Sequence, residues 1–295
     1  MTGWDEGRYE FKYALPLSRR SELMDLTAPH TIPDRKARSI GADAHGYEVH
    51  SLYYDTFDGE RPTLRDYFER LAERSIRDRL RVRTYGHRGE EQPVFLENKR
   101  KLDDRVVKAR ALIGNTEGWD AAPGPTPWRA LAPGLRPKDR FAYRDFDRRV
   151  VGDGRRPVSV VHYVREVYTA LDDPACRLTI DRDVCATTCP TSLDLYAAPD
   201  VDLIPRDWVV LEMKFRAHRP LWMRRICAAL GLRAVPISKF GLSVALGFRG
   251  GHARELRFFT PYPLRRIGAF ARRSFGARAG DWRADAAPRR AEACP

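Results

Sequence analysis

Two runs decide the fold of this chain: Arg79-Leu-Arg-Val-Arg-Thr-Tyr85, and Val94-Phe-Leu-Glu-Asn-Lys-Arg-Lys101 shortly after it. In the first run Arg81, Arg83 and the two end residues alternate with apolar or small residues. Because side chains alternate across a strand, residues two apart share one face. Gly86-His-Arg-Gly89 supplies a turn between the runs. Together they predict an antiparallel hairpin with one charged face.

The same short-strand pattern extends outward from this hairpin in both directions. The other predicted strands are Arg8–Leu15, Val49–Tyr54, Asp104–Ile113, Val158–Ala170, Arg177–Val184 and Trp208–Phe215. The predicted helices are Leu17–Leu26 with Ser18 as N-cap, a turn at Asp66–Ala72, Pro220–Leu230 and Ile237–Leu246. Residues 118–138 are rich in Pro, Gly and Trp and predict an irregular insertion or short helices. The pattern therefore indicates an α+β domain with a large antiparallel sheet.

Charged residues recur in the same pairings on separate strands. These are Glu10/Lys12, Glu97/Lys99, Glu212/Lys214 and Arg81/Arg83. A sheet with one face in water would also alternate, so alternation alone does not decide between a solvated face and a binding site. The repetition of one pairing favours a barrel whose interior binds a highly charged anion. Guanidinium and ammonium groups neutralise phosphate oxygens, and carboxylates hold a divalent cation that bridges them.

The charge balance also points to an anionic ligand. The 295 residues include 53 Lys and Arg against 40 Asp and Glu, for a net charge of +13. Such an excess attracts nucleic acid, anionic membranes, nucleotides or polyphosphate, and composition does not choose among them. The sequence contains no Gly-x4-Gly-Lys-Ser/Thr, Gly-x-Gly-x-x-Gly, His-Glu-x-x-His or Gly-x-Ser-x-Gly motif. This excludes the usual P-loop, Rossmann, zincin and nucleophile-elbow signatures, while a Ser/His/Asp arrangement stays open.

Features outside the strands predict where the protein resides. Five Cys, an odd number, do not suggest a disulfide framework. No apolar run is long enough to cross a membrane, and no apolar leader opens the sequence. We therefore expect a cytoplasmic protein without a transmembrane segment. Residues 251–295 hold ten Arg against four acidic residues. They predict a disordered basic tail, with peripheral membrane contact as the alternative.

The ordered set of motifs resembles the VTC-type polyphosphate polymerase domain of the triphosphate tunnel metalloenzymes, over residues 5–248. The motifs are Arg8-Tyr-Glu-Phe-Lys-Tyr13, Tyr53-Tyr-Asp-Thr56, Arg81-Val-Arg-Thr-Tyr-Gly86, Phe95-Leu-Glu-Asn-Lys99, Tyr163-Val-Arg165, Arg177-Leu-Thr-Ile-Asp181, Leu211-Glu-Met-Lys214 and Ser238-Lys-Phe240. The resemblance implies a domain over residues 1–250, built as an antiparallel β-barrel tunnel with helices packed outside. It also implies transfer of the γ-phosphate of ATP onto a growing polyphosphate chain, with Mn²⁺ or Mg²⁺.

The resemblance assigns roles to thirteen residues. The catalytic cations that would bind the reacting phosphates are Lys12, Arg81, Arg83, Lys99, Arg165 and Lys239. Further substrate-binding residues are Arg8, Tyr163, Ser238 and Lys214. The main metal ligand would be Glu212, helped by Glu10 or Glu97. The expected partners are ATP and inorganic polyphosphate, with no specific nucleic acid.

One departure from related hydrolases bears on the reaction. Hydrolytic relatives of the CYTH type begin Glu-x-Glu-x-Lys, whereas Arg8 stands here at the first position, before Glu10 and Lys12. A cation in place of a carboxylate makes this entry more basic and favours handling of a long anionic chain. A metal-dependent triphosphatase remains the alternative, as does a non-catalytic module that binds polyphosphate or nucleic acid. A nucleic-acid binder more often interleaves exposed aromatic and basic residues.

Overall fold

The computed structural model describes residues 4–34 and 46–248. The strands are β1 (Tyr9–Pro16), β2 (Thr31–Pro33), β3 (Tyr47–Asp58), β4 (Arg61–Pro62), β5 (Ile76–Arg77), β6 (Leu80–Tyr85), β7 (Pro93–Leu102), β8 (Arg105–Asn115), β9 (Arg155–Ala170), β10 (Arg177–Thr188), β11 (Val201–Asp202) and β12 (Trp208–Phe215). The α-helices are α1 (Arg20–Thr27), α2 (Arg65–Leu71), α3 (Thr116–Ala121), α4 (Pro127–Leu131), α5 (Arg140–Gly152), α6 (Leu221–Ala229) and α7 (Lys239–Gly247).

Eight long strands follow one another around the sheet in the order β1, β12, β10, β9, β3, β6, β7, β8. Every neighbouring pair in this order is antiparallel. The last strand returns to the first through a single bridge, in which Arg8 and Val106 exchange backbone hydrogen bonds of 3.0 and 2.9 Å. Ladders join the other neighbours, so the strands surround a central space, which we call the tunnel.

Helices cover the outer surface of the sheet. Trp222, Met223 and Ile226 of α6 pack on buried residues of β1, β10 and β12. Phe146 of α5, fully buried, packs with Trp128 against the hairpin formed by β6 and β7 and against β3. Truncating such a buried aromatic ring to Ala costs about 3–5 kcal/mol. The predicted α+β fold with helices outside an antiparallel sheet is therefore confirmed.

Helix α5 is the largest element that the sequence did not reveal. Its buried residues Ala142, Phe146 and Val150 recur every four positions, but five Arg and Asp residues separate them. A narrow apolar stripe of this kind is easily taken for a charged loop. The prediction of Ser18 as an N-cap is wrong, because Ser18 lies in a 3-10 turn and the helix begins at Arg20.

The remaining expectations concern membrane-spanning helices, the cysteines and the C-terminal boundary of the domain. No helix among residues 4–34 and 46–248 is both long and apolar enough to span a membrane. The thiols of Cys176, Cys185 and Cys227 are free. The domain boundary at residue 250 stays a prediction. The predicted tail, 251–295, lies outside the described residues.

Candidate anion-binding tunnel

The tunnel contains a cavity of about 500 Å³ whose walls are dominated by cations. Twelve Lys or Arg residues line it, against four Asp or Glu residues. Val82, Leu96 and Leu211 alternate with lining residues of their strands and pack in the apolar clusters on the other face of the sheet. A lumen with this excess of positive charge attracts a compact polyanion.

Twelve of the thirteen residues singled out from the sequence meet in this cavity. They are Arg8, Glu10, Lys12, Arg81, Arg83, Lys99, Tyr163, Arg165, Glu212, Lys214, Ser238 and Lys239. Residues from five of the eight surrounding strands and from the start of α7 contribute to the set. Glu97 is the exception, since it is fully buried and does not line the cavity. The roles of these residues stay predictions, whereas their common location is a feature of the structure.

On one wall, Glu97 lies behind a group of cations from β6 and β8. Arg81 donates to it from Nε at 2.7 Å and approaches it through Nη2 at 2.6 Å. Lys108 forms an ion pair with it, and Arg110 Nε lies 3.2 Å from its Oε1. Burial alone would raise the pKa of Glu97, but Lys108, Arg81 and the other cations hold it well below the ordinary value. Glu97 is therefore a buried anion at neutral pH.

A similar arrangement occupies a second wall, where Asp181 of β10 is fully buried. Arg165 donates to it from Nε at 2.6 Å and from Nη2 at 2.7 Å. Lys239 Nζ donates to its Oδ2 at 2.5 Å. Burial opposes ionisation, yet Arg165 and Lys239 lower the pKa of Asp181 below its ordinary value. Asp181 was not singled out as a site residue, although it shares a face with Thr179 and lies directly across from Arg165.

Two of the four carboxylates that line the cavity, Glu10 and Glu212, lie on β1 and β12. Glu212 is 3.0 Å from Lys214 Nζ, 3.6 Å from Arg165 Nη2 and 3.9 Å from Lys12 Nζ. Burial raises its pKa, but these cations, led by Lys214, keep it well below the ordinary value. Glu10 accepts from Lys99 Nζ at 2.5 Å. Burial and the charge of Glu212 oppose its ionisation, but Lys99 and other cations lower its pKa to about 2.

Glu10 and Glu212 decide whether a divalent cation fits the lumen. Both are ionised at neutral pH, as metal ligands must be. No group of three or more Asp, Glu, His or Cys suited to a metal occurs in the described ranges 4–34 and 46–248. An ion held by one or two carboxylates takes its remaining ligands from water and substrate phosphates, which is the usual pattern for Mg²⁺. The donor set therefore fits a hard divalent cation that arrives together with a phosphate chain.

The amino groups in the lumen are poised to lose protons. Burial lowers the pKa of Lys12 to about 7, despite the nearby charge of Glu212. Burial likewise lowers the pKa of Lys214 to about 8. Lys12 Nζ also donates to the backbone carbonyl of Ile237 at 3.1 Å, which fixes it beside the start of α7. Both amines are partly or mostly charged at neutral pH, and a bound anion would favour their charged form.

Sequence reasoning missed several cations that line the cavity. Lys108 and Arg110 of β8 lie directly across from Lys99 and Glu97 of β7, so the register places them on the same face. Alternation in residues 105–115, combined with the register of the hairpin formed by β7 and β8, would place both cations on the lumen face. Arg79 also lines the cavity, and its Nε has no hydrogen-bond partner in the described structure. Burial lowers the pKa of Arg79 to about 9, which leaves it charged at neutral pH.

A second cavity of about 460 Å³ adjoins the first. The two share a lining formed by Glu10, Lys12, Arg79, Lys99, Val106 and Ser238. Beyond this junction the second cavity is bordered by Arg70, Arg77 and Lys101, with Asp104 and the rings of Tyr9 and Phe11. The basic lining therefore extends beyond the space needed for a single triphosphate.

Two solved structures and one domain family are similar to this chain. The structure of a putative adenylyl cyclase from Hippeastrum, described as having a dominant triphosphatase activity, is 18% identical, covers 80% of this chain and 94% of its own, and has a TM-score of 0.45. A chain of the Schizosaccharomyces pombe Mediator head module is 11% identical and has a TM-score of 0.38. The match covers 76% of this chain and 91% of that one. No curated protein matches. The VTC domain family matches residues 7–248. With more than three quarters of its length matched, the chain belongs to the VTC domain family.

Proposed function

We propose that this protein is a polyphosphate polymerase that transfers the γ-phosphate of ATP onto a growing inorganic polyphosphate chain. In this reaction a terminal oxygen of the chain forms a bond to the γ-phosphorus. The bond between that phosphorus and the β–γ bridging oxygen breaks, and ADP leaves. The products are ADP and a chain that is one phosphate longer. No covalent intermediate with the protein is required.

The observation that carries this proposal is the excess of cations along two adjoining cavities that share six lining residues. A single triphosphate needs only one of them, whereas a linear chain and a nucleotide that meet end to end need both. Arg79 and Lys99 line the junction and would contact phosphates on either side of it. The membership of the VTC domain family supports the same substrate class.

The residues of the lumen would act mainly by position and charge. Phosphoryl transfer demands alignment of donor and acceptor and stabilisation of the charge on the transferring group. Arg81, Arg83 and Arg165 present guanidinium groups for oxygens of the triphosphate, and Lys12 and Lys239 supply point charges. Removing one such donor costs about 10²–10³ in rate in comparable sites.

A divalent cation would be held by Glu212 with Glu10. It would supply charge neutralisation between phosphate oxygens. Lys214 and Lys99 now balance these two carboxylates at 3.0 and 2.5 Å. When a phosphate chain draws the ammonium groups toward its own oxygens, the carboxylates become available as ligands. Metal and polyanion would therefore bind in a mutually supportive way.

The test is a product analysis with purified protein, ATP and Mn²⁺ or Mg²⁺. We expect a broad ³¹P resonance of internal chain phosphates, and ADP as the co-product in equal amount to the phosphate incorporated. Gel electrophoresis of the polymer gives an independent measure of its length. Release of orthophosphate alone, from ATP or tripolyphosphate, would replace the polymerase by the triphosphatase. Binding without turnover of either substrate would leave a polyphosphate-binding module.

A further inference from the structure

Two buried carboxylates, Glu97 and Asp181, stand behind the cations of two walls without lining the lumen. Each lies directly across a strand pair from an arginine: Glu97 of β7 from Arg81 of β6, and Asp181 of β10 from Arg165 of β9. Side chains directly opposite on adjacent antiparallel strands are the closest cross-strand neighbours. We call Glu97 and Asp181 the anchor carboxylates.

Both arginines turn their Nε and Nη2 edge toward an anchor carboxylate. Arg81 approaches Glu97 with Nε and Nη2, at 2.7 and 2.6 Å, and donates from Nη1 to the hydroxyl of Tyr53 at 2.9 Å. Arg165 donates from Nε and Nη2 to the two oxygens of Asp181, at 2.6 and 2.7 Å. A guanidinium has five N–H donors in a rigid planar fork. Once one edge is used by a carboxylate, the direction of the remaining donors is fixed.

Each anchor carboxylate also holds a lysine that lines the cavity. Lys108 pairs with Glu97, and Lys239 Nζ donates to Asp181 at 2.5 Å. Each carboxylate therefore lies between an arginine and a lysine, in Arg81–Glu97–Lys108 and Arg165–Asp181–Lys239. Glu97 also has Arg110 and Arg83 at 3.2 and 3.8 Å. Like charges packed around one cavity repel, and flexible Arg and Lys chains would otherwise spread apart. A buried anion between two of them reduces that repulsion and limits the positions of both.

We propose that Glu97 and Asp181 are positioning residues: they orient Arg81 and Arg165, with Lys108 and Lys239, toward the transferring phosphate. This inference rests on the proposed function and adds two residues to it. It also replaces the expected metal-binding role of Glu97, because both of its oxygens lie against cations and its side chain is fully buried. The metal would then be left to Glu212 and Glu10.

The test compares Glu97→Gln and Asp181→Asn with Glu212→Gln in the full-length protein. Misplacement of a substrate-binding group by about 1 Å can cost about 100-fold in rate. For each anchor variant we expect kcat to fall by about 10–100-fold, with KM for ATP within about threefold, because the lumen gains rather than loses positive charge. The metal concentration for half-maximal activity should stay at the wild-type value in the anchor variants and rise in Glu212→Gln.

A spectroscopic readout keeps this test independent of the reaction that is catalysed. In ¹⁵Nε–¹H spectra of arginine side chains, the Arg81 signal should lose its protection from exchange in Glu97→Gln, and the Arg165 signal in Asp181→Asn. Each anchor variant should leave the other arginine unchanged. Unchanged arginine signals, or a metal requirement that rises as it does in Glu212→Gln, would overturn the proposal.

Arginine-to-lysine variants cover the case in which an anchor variant does not fold. Arg81→Lys and Arg165→Lys keep both the charge and the anchor carboxylate but lack the planar fork. We expect the same loss of kcat with little change in KM. Wild-type kcat in both lysine variants would show that orientation is unimportant and would reject the inference. If the wild type only released orthophosphate, the polymerase would be rejected, while the same comparison of kcat would still test the anchors.

Discussion

Without metal, the affinity of the tunnel for tripolyphosphate should fall as the pH rises from 7 to 9. In the free protein, burial lowers the pKa of Lys12 to about 7 and that of Lys214 to about 8. A bound polyanion stabilises both ammonium groups and returns their pKa values to the ordinary lysine range near 10. Binding above pH 7 must therefore take up protons, and each proton makes binding weaker as the pH increases.

The size of the effect follows from the two pKa values. If both lysines are charged in the complex throughout this range, the association constant falls between pH 7 and 9. Lys12 contributes about 1.7 log units to this decrease, and Lys214 contributes about 1.0. The two together predict a weakening of about 500-fold, or about 3.7 kcal/mol. The corresponding proton uptake at pH 8 is about 1.4 per binding event, because Lys12 is then mostly neutral and Lys214 is half neutral.

Isothermal titration calorimetry in two buffers of different ionisation enthalpy measures this uptake directly. Tripolyphosphate also titrates near pH 8, so the decisive quantity is the difference between variants. Lys12→Gln should reduce the uptake at pH 8 by about 0.9 proton. Lys138→Gln, at an exposed lysine outside the cavity, should leave it at the wild-type value. Equal uptake in the wild type and Lys12→Gln would refute the assignment of a lowered lysine pKa in the lumen.

Three other predictions test the metal ligand, the stability and the reaction class. Glu212→Gln should keep the far-ultraviolet circular dichroism spectrum while metal-dependent turnover falls about 100-fold or more, and an unchanged metal titration would exclude Glu212. Burial lowers the pKa of His162 to about 3, so the unfolded state alone gains a proton below pH 6.5 and stability is lost from there down toward pH 3. Between pH 7 and 5, the free energy of unfolding measured in urea should fall by about 2 kcal/mol more in the wild type than in His162→Gln. Equal decreases in the two proteins would contradict this. Arg8→Glu should raise orthophosphate release relative to polymer, measured by ³¹P spectroscopy, and an unchanged ratio would contradict the role given to Arg8.

The sequence predicted the inward face of the sheet well because alternation is a strict consequence of strand geometry. Trp208–Phe215 is a strand with the predicted bounds, and its Glu212 and Lys214 face the lumen. Helix α5 could not be recognised in the same way, because its apolar stripe is narrow and tertiary packing of Phe146 supplies the stabilisation. Local pattern carries little information where a helix depends on what it packs against.

The misassigned location of Glu97 has a more specific cause. Alternation gives the face on which a side chain lies but not how far that side chain reaches. Arg81 and Lys108, whose side chains are longer, pair with the Glu97 carboxylate and line the lumen in its place. The glutamates of the three Glu-x-Lys pairs therefore occupy two kinds of position in the fold. Glu212 and Glu10 line the lumen, and Glu97 lies beneath its cations.

This difference in reach also bears on which reaction the tunnel favours. Activating water for attack on phosphorus requires carboxylates or metal ions that meet solvent, whereas a chain of phosphates is held by cations. Here the buried Glu97 and Asp181 are covered by arginine and lysine, and Glu10 and Glu212 are balanced by Lys99 and Lys214. A ligand that enters the lumen therefore contacts arginine and lysine side chains first. That arrangement supports the proposed polymerase, because a polyanion can satisfy several of these cations at once.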